Sequence, residues 1–321
     1  MASEEAGSRI AAAVDLGSTS VHLLVARIVD HRVEPRNDES AFLGLGEAVA
    51  ERGLLGSDTR KALVDALARF AGTARDADAE SITFVATEPL RRLADAARIV
   101  AEVEEGTGVP LHVLEHDEEA FLTLIGVTEG RPVEREILVV DIGGGSSEFV
   151  SIGLDRRAAR AVGVRVGAAG LTSRLVDGDP PTAAEVGDLR RAARDAVAEA
   201  PDARPDEIVV VGGTGSNLLR IAPETDGRRR LDRSDLAAAL RAVTGATADE
   251  LAARHGVRPA RARILGAGAA IVEAVLDRYG ADEARVSDGG IREGTVLAVS
   301  HAGVAWRDQL ERLAHGWVGT E

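Results

Sequence analysis

Apolar positions along this chain alternate between a strand-like and a helix-like pattern. RIAAAVDLG and SVHLLVARIV are apolar, partly β-branched runs separated by Gly and Ser, which predicts a β-hairpin over roughly the first thirty residues. SDTRKALVDALARFAGTARDA then spaces Leu63, Leu67 and Phe70 as on one helix face behind a Ser/Asp start. SITFVAT reads as a buried strand, PLRRLADAARIVAEVEEGTG as one helix closed by glycine, and LHVLEH as a further strand. DEEAFLTLIGVTEG predicts a helix with acids in its first turn, where the macrodipole favours negative charge.

After the polar stretch EGRPVERE the pattern restarts, since ILVVDIGGGSSEFVSIG repeats the strand, Asp-Gly turn and strand of the N-terminus. Asp15 and Asp141 lie more than a hundred residues apart, which fits a domain-sized duplication rather than a solenoid. DPPTAAEVGDLRRAARDAVAEA predicts a proline-initiated helix, DEIVVVGGTGSNLLRIA a strand, glycine turn and helix, and RARILGAGAAIVEAVLDRYG a helix rich in small residues. ARVSDGGIREGTVLAVSHA predicts a short strand, a glycine turn and a helix that DQLERLAHGWVGTE extends before fraying. A chain of 321 residues is long enough for two cores. The boundary is drawn between 127 and 128, with the C-terminal helix at about 292–315 free to pack back on the first domain. The class is α/β.

Hydrophobic residues at 45% and charged residues at 28% describe a globular chain, and aromatics at 2% require a core of Ala, Val, Leu and Ile. A formal charge of −15 argues against binding to a nucleic-acid backbone, so an anionic ligand must be held by local chemistry. The sole lysine, Lys61, sits in DTRKAL and not in a Walker loop, and the absence of cysteine excludes disulfides, thiolate metal sites and cysteine nucleophiles. The acidic start MASEEAGS is unlike a secretory signal, and no run of 18 apolar residues occurs. The expectation is a soluble cytoplasmic protein with no membrane partner.

In DIGGGSS, glycines let the backbone approach a ligand and turn successive N–H groups inward as an anion nest. Ser146 and Ser147 add hydroxyl donors, and Asp141 at a strand end has oxygens suited to magnesium through water. The alternative for one such turn alone is a glycine-rich hairpin with a capping aspartate. Its recurrence at Asp15 changes the balance, because two phosphate-type hairpins facing across a cleft can grip a phosphate chain from both sides.

AVDLGSTSVHLLVARI, FVATEPLRRL, VLEHDEEAFLTLIGV, VVDIGGGSSEFVSIG, VVGGTGSNLLRIA and VSDGGIREGTVLAV occur in an order that resembles the exopolyphosphatase and guanosine pentaphosphate phosphatase family, from about Ile10 to about Val299. The resemblance implies the short form of two actin-like, ribonuclease H-like domains with an interdomain active-site cleft. It also implies a hydrolase that releases terminal phosphate from inorganic polyphosphate with magnesium. Guanosine pentaphosphate, a stringent-response nucleotide, is the alternative substrate. A non-catalytic phosphate-chain sensor is the reading from another class, and the sequence leaves a homodimer open.

The resemblance further implies a first phosphate loop of Asp15, Gly17, Ser18, Thr19 and Ser20, with Thr19 where the family has Asn. It places Arg91 as a phosphate-contacting arginine and Glu119 as the residue that activates water, and the two together are the catalytic assignment. Gly143, Gly144, Gly145 and Ser146 match the second phosphate loop, Gly213 and Thr214 the third, and Arg292 with Glu293 the closing GIREG motif. Asp141 and Glu148 are the expected metal ligands. Hydrolysis of a phosphoanhydride needs charge neutralisation, an in-line water and a group to orient or deprotonate it, which these residues supply.

Glu118 and Glu119, as helix neighbours, point about a hundred degrees apart and cannot face one water. Arg92 reads as an exposed helix residue. The run GRRRL at 227–231 reads as a solvated loop, with a landing strip for a polyanion on Arg228, Arg229 and Arg230 as the alternative. His22, His112, His116, His255 and His301 show no metal-ligand spacing. GAGAAI lacks the third glycine of a dinucleotide fingerprint and reads as close helix packing. Phe121 and Gly170 stand where the family carries arginines, which opens the question of chain-length preference.

Overall fold

A computed structural model describes residues 8–153, 160–222 and 229–318. The chain divides into two units, 1–132 with 289–321, and 133–288. The C-terminal segment therefore counts with the first unit and the boundary falls after Pro132.

In chain order the first unit holds β1 (Arg9–Leu16), β2 (Ser20–Val29), β3 (Arg32–Phe42), α1 (Leu45–Arg52), α2 (Ser57–Asp76), β4 (Ser81–Ala86), α3 (Glu88–Arg91), α4 (Ala96–Thr107), β5 (Leu111–Val113) and α5 (His116–Thr128). The second unit follows with β6 (Ile137–Ile142), β7 (Ser147–Ile152), β8 (Arg160–Val164), α6 (Ala168–Leu175), α7 (Ala183–Val197), β9 (Glu207–Val211), α8 (Gly212–Ile221), β10 (Arg230–Asp232), α9 (Arg233–Gly245), α10 (Ala248–His255), α11 (Pro259–Tyr279) and β11 (Glu283–Val286). The chain then returns to the first unit through α12 (Ile291–Ala302) and α13 (Leu310–Ala314).

The duplication read from the two aspartate turns is visible in the sheets. Strand order is β3-β2-β1-β4-β5 in the first and β10-β11-β9-β6-β7-β8 in the second. In each, a three-stranded antiparallel meander continues into parallel strands through its first strand. Asp15 and Asp141 therefore sit at matching places, opposite His22 on β2 and opposite Glu148 on β7.

In the first core α2 buries Leu63, Leu67 and Phe70 against strand residues such as Val14, Leu23 and Phe84. The second core is built around α11, whose Ala267, Ile271, Val272 and Val275 are buried among the helices and sheet of that unit. Small residues in GAGAAI thus serve packing, as the missing glycine suggested. Among the described residues no helix is long and apolar enough to cross a membrane.

Some elements differ from the pattern reading. PLRRLADAARIVAEVEEGTG is two helices, because the chain leaves α3 after Arg91 and re-enters at α4 with Leu90 and Leu93 both buried. The helix from DPPTAAEVGDL starts after Thr182, whose hydroxyl accepts the amide of Glu185 at 3.2 Å in a capping box, so hydroxyl capping and not proline initiates it. The C-terminal residues do not extend α12. Gly303, at φ 58°, ends that helix, two short 3₁₀ turns follow, and after α13 the Trp317 amide donates to Gly130 O at 2.8 Å while its ring stacks on His301.

The GIREG glycine has a steric role. A Cβ on Gly294 would lie 1.8 Å from Leu122 O, and one on Gly126 would lie 2.1 Å from Gly290 O, so α12 and α5 cross backbone to backbone. Gly294→Ala is expected to destabilise the first unit by about 3 kcal/mol or more, since neither backbone can give way. Thermal unfolding checks this, and an unchanged Tm would mean that the crossing relaxes freely.

Candidate active site

In the first unit, Asp15 is the last residue but one of β1, and the turn after it is braced by the segment that enters α1. Gly17 N donates to Ser20 O at 3.2 Å, Gly46 N to Ser18 O at 2.7 Å, and Leu43 N and Gly44 N to Thr19 O at 3.3 and 3.1 Å. With these carbonyls occupied, the turn has a fixed shape. Ser18 Oγ donates to Glu88 Oε2 at 3.0 Å, and Ser20 Oγ lies 2.7 Å from His22 Nε2. Glu88 also receives Arg92 Nη1 at 2.9 Å, which accounts for Arg92 as a local helix partner.

Arg91 and Glu119 are brought together. Arg91 Nη1 donates to Glu119 Oε2 at 2.8 Å and to Leu114 O at 2.6 Å, and Nη2 lies 3.0 Å from His116 Nδ1. The side chains of Arg91 and Glu119 are only 11% and 8% exposed, so this is a desolvated pair and not a surface ion pair. His116 is the residue the sequence reading passed over. Burial and the Arg91 charge lower its pKa, which favours a neutral ring accepting from Arg91 through Nδ1. Its spacing of three residues before Glu119 places both on one helix face, a signal present in the sequence.

Glu118 turns away from Glu119 and pairs with Arg307, 2.5 Å from Nε and 2.7 Å from Nη2. Arg292, expected at a phosphate, donates to Asp38 Oδ1 at 2.9 Å, to Asp38 Oδ2 at 3.3 Å and to Leu23 O at 3.3 Å, so in this structure it ties α12 to the β2–β3 hairpin. Burial opposes its charge, but Glu293, Asp38 and Asp15 outweigh burial and raise its pKa.

The second unit carries the other loops. Gly143 N donates to Ser146 O at 3.0 Å, while Gly143 O and Gly144 O accept from Ala168 N and Gly170 N of α6, each at 2.9 Å. A Cβ on Gly167 would come within 2.4 Å of Gly144, so only glycine allows this approach. Helix α6 thus takes up loop carbonyls, the arrangement that an anion nest of loop amides requires. Ser146 Oγ donates to Glu148 Oε1 at 2.8 Å, and Ser147 Oγ to Val166 O at 2.6 Å. Ser147 is therefore a brace.

Thr214 Oγ1 donates to Ile142 O at 3.0 Å and fastens the third loop to the second. Gly213 lies at the start of α8, where a Cβ would meet Arg261 Nη1 at 3.4 Å. Burial and the neighbouring Arg258 lower the pKa of Arg261. A guanidinium beside the N-terminus of α8 is a cation that the sequence reading missed, because it arrives from α11 in the arginine-rich stretch RPARAR.

Asp141 Oδ1 lies 2.8 Å from where a Cβ on Gly212 would be, and Gly212 has φ 81°, so glycine is doubly required there. Burial pushes the Asp141 carboxyl up to about 6, although part of its surface stays accessible. Its direct cross-strand partner is Glu148, itself buried. A divalent cation would relieve the desolvation of Asp141, and Glu148, directly opposite it on β7, offers a second carboxylate. The donor set fits magnesium.

Arg229 pairs with Asp288 and Arg230 with Glu283, so these two charges are cancelled locally, and Arg228 lies outside the described residues. Phe121 is buried, whereas Gly170 is exposed, and a Cβ there would be in ordinary contact, 3.7 Å from Gly144 O. The two departures therefore differ physically. Gly170→Arg is expected to fold and to tighten binding of a phosphate-type anion at the 143–146 loop by about threefold to tenfold, the worth of one added hydrogen bond to an anion. Phe121→Arg is expected to cost roughly 3 kcal/mol or more, because it empties a core position and buries a charge. Parallel melting curves and anion-binding titrations check both.

The model of the Ppx/GppA phosphatase family matches residues 24–302. Exopolyphosphatase 1 of Mycobacterium tuberculosis is 30% identical over 300 residues, covering 88% of this chain and 86% of its own. Exopolyphosphatase 2 of the same organism is 28% identical over 314 residues, covering 90% of this chain and 98% of its own. Among solved structures, the Aquifex aeolicus member of the Ppx/GppA family superposes with a TM-score of 0.78 at 26% identity, covering 92% of this chain and 98% of that one. Its actin-like architecture is the one seen in both units here. This chain belongs to the Ppx/GppA phosphatase family.

Proposed function

We propose that the protein is an exopolyphosphatase, releasing terminal phosphate from inorganic polyphosphate by magnesium-dependent hydrolysis. The observation that carries this reading is the desolvated Arg91–Glu119 pair at the head of α5, a base and a cation held 2.8 Å apart. Two mycobacterial relatives named exopolyphosphatases support the substrate class.

Glu119 orients the attacking water and accepts its proton, while Arg91 fixes the direction of the carboxylate and offers positive charge to the phosphoryl oxygens. The turn after Asp15, with Gly17, Ser18, Thr19 and Ser20, and the loop at 143–146 receive phosphate through amides and hydroxyls. Gly213, Thr214 and the nearby Arg261 add donors at the start of α8. Asp141 and Glu148 would hold magnesium, which supplies charge neutralisation at the phosphate oxygens. The Asp38 pairing of Arg292 makes a phosphate role for that residue dependent on release of Asp38.

Purified protein with magnesium, offered long polyphosphate, short polyphosphate, guanosine pentaphosphate and ATP in parallel, tests the reading. The expected result is fastest phosphate release from polyphosphate. Faster release from guanosine pentaphosphate would move the assignment to that nucleotide. Binding of polyphosphate with no release from any of them would make the protein a sensor.

A further inference from the structure

The segment 113–119, which runs from the end of β5 into the first turn of α5, is held by two arginines. Arg91 takes Leu114 O, His116 and Glu119. Arg307, which opens the 3₁₀ turn Arg307–Gln309, takes Val113 O at 2.8 Å and both oxygens of Glu118. Each of two adjacent glutamates thus has its own guanidinium, and each guanidinium also holds one of two adjacent carbonyls. Glu118 does more than pair, because its Oε2 accepts the Glu115 amide at 2.8 Å and closes the cap of α5.

The C-terminal turn is itself anchored. Trp306, next to Arg307, is buried and meets the His112 ring edge-on with centroids 5.4 Å apart. Leu310 and Leu313 of α13 are buried, and α13 packs against α5. The Arg307 backbone is therefore fixed independently of Glu118.

We propose that Arg307 is a positioning residue for Glu119, acting through Glu118 to fix the rotation and height of the first turn of α5. The proposal rests on the reading of Glu119 as the base. A fork-shaped guanidinium bound to both oxygens of a carboxylate has one favoured geometry, so it sets an angle as well as a distance. Glu118 and Glu119 share a peptide, so a turn of α5 that rotates at Glu118 carries Glu119 away from its aim, and a misplacement of about 1 Å in a catalytic group can cost roughly 100-fold in rate. Lysine offers a single point of charge in place of the fork and cannot set the angle.

The experiment compares wild type, Arg307→Ala, Arg307→Lys and Glu118→Gln, measuring kcat and KM for phosphate release and amide hydrogen exchange over 114–123. For Arg307→Ala the expected result is a kcat lower by about 10–100-fold with KM within about twofold, together with faster exchange confined to 116–120. Arg307→Lys recovers only part of both. A merely structural role would lower Tm while leaving kcat and the exchange of that turn unchanged well below Tm. In that case, with folded Arg307→Ala keeping wild-type exchange at Glu119 and Ala120, the proposal is overturned. If Arg307→Ala does not fold, Glu118→Gln, which retains an acceptor for the Glu115 amide, makes the same comparison. A wild type that releases no phosphate would remove Glu119 as the base, and the exchange data would then decide the clamp separately.

Discussion

Glu119→Gln is expected to leave a folded protein that binds polyphosphate but releases phosphate more slowly by roughly 10²–10⁴-fold. Glutamine keeps an oxygen that can accept from Arg91 Nη1, as Glu119 does at 2.8 Å, so the surrounding geometry persists while the proton acceptor is lost. Phosphate release with magnesium, set beside polyphosphate retention on a filter, separates chemistry from binding. Full activity in this variant would take Glu119 out of the mechanism. Loss of binding together with turnover would make the pair a structural strut.

The second large effect concerns Asp141. Asp141→Asn is expected to weaken the apparent affinity for magnesium by at least roughly 10–100-fold, the loss common when even an outer partner of a metal ligand is removed, with activity falling in parallel. The same change should stabilise the metal-free protein by about 1 kcal/mol after allowance for partial exposure, because it removes a carboxylate that burial has already pushed up to about 6 and that faces Glu148. Stability gained with function lost is the signature of a carboxylate kept for its ligand. Asp177→Asn, on an exposed position between α6 and α7, is the control. Equal losses in both variants, or a fall in Tm for Asp141→Asn without metal, would argue for a structural role.

Glu118 shows how a sequence signal can be right in kind and incomplete in content. Acids at the start of a helix read as dipole compensation, and Glu118 does close the cap of α5. Its stronger partner, Arg307, lies 189 residues further along and could not be paired with it from spacing. Burial alone would raise the Glu118 pKa, but hydrogen bonds from Arg307 and from the Glu115 amide, with the Arg307 charge, reverse that and hold it below the usual carboxylate range. The same distance problem hid Arg292, whose partner Asp38 is 254 residues away.

The sequence by itself determined the repeated strand-and-turn unit, because apolar alternation and glycine are local signals that act within a few residues. The hairpins β1–β2 and β6–β7, the helices α2, α5 and α11, and the positions of Asp15 and Asp141 at strand ends all follow from that grammar. Strand β3 does not, since no residue in RVEPRNDESAF is buried and its polar pattern hides an edge strand that is held by backbone pairing to β2 and by the Arg292–Asp38 contact. The break between α3 and α4, the return of the C-terminus to Gly130, and the grouping of Arg91, His116 and Glu119 were decided by tertiary structure. Each depends on which distant groups burial forces to find a hydrogen-bond partner, and that cannot be read from neighbours in sequence. Local chemistry thus specified the loops that can hold phosphate, whereas packing decided which arginine faces which carboxylate.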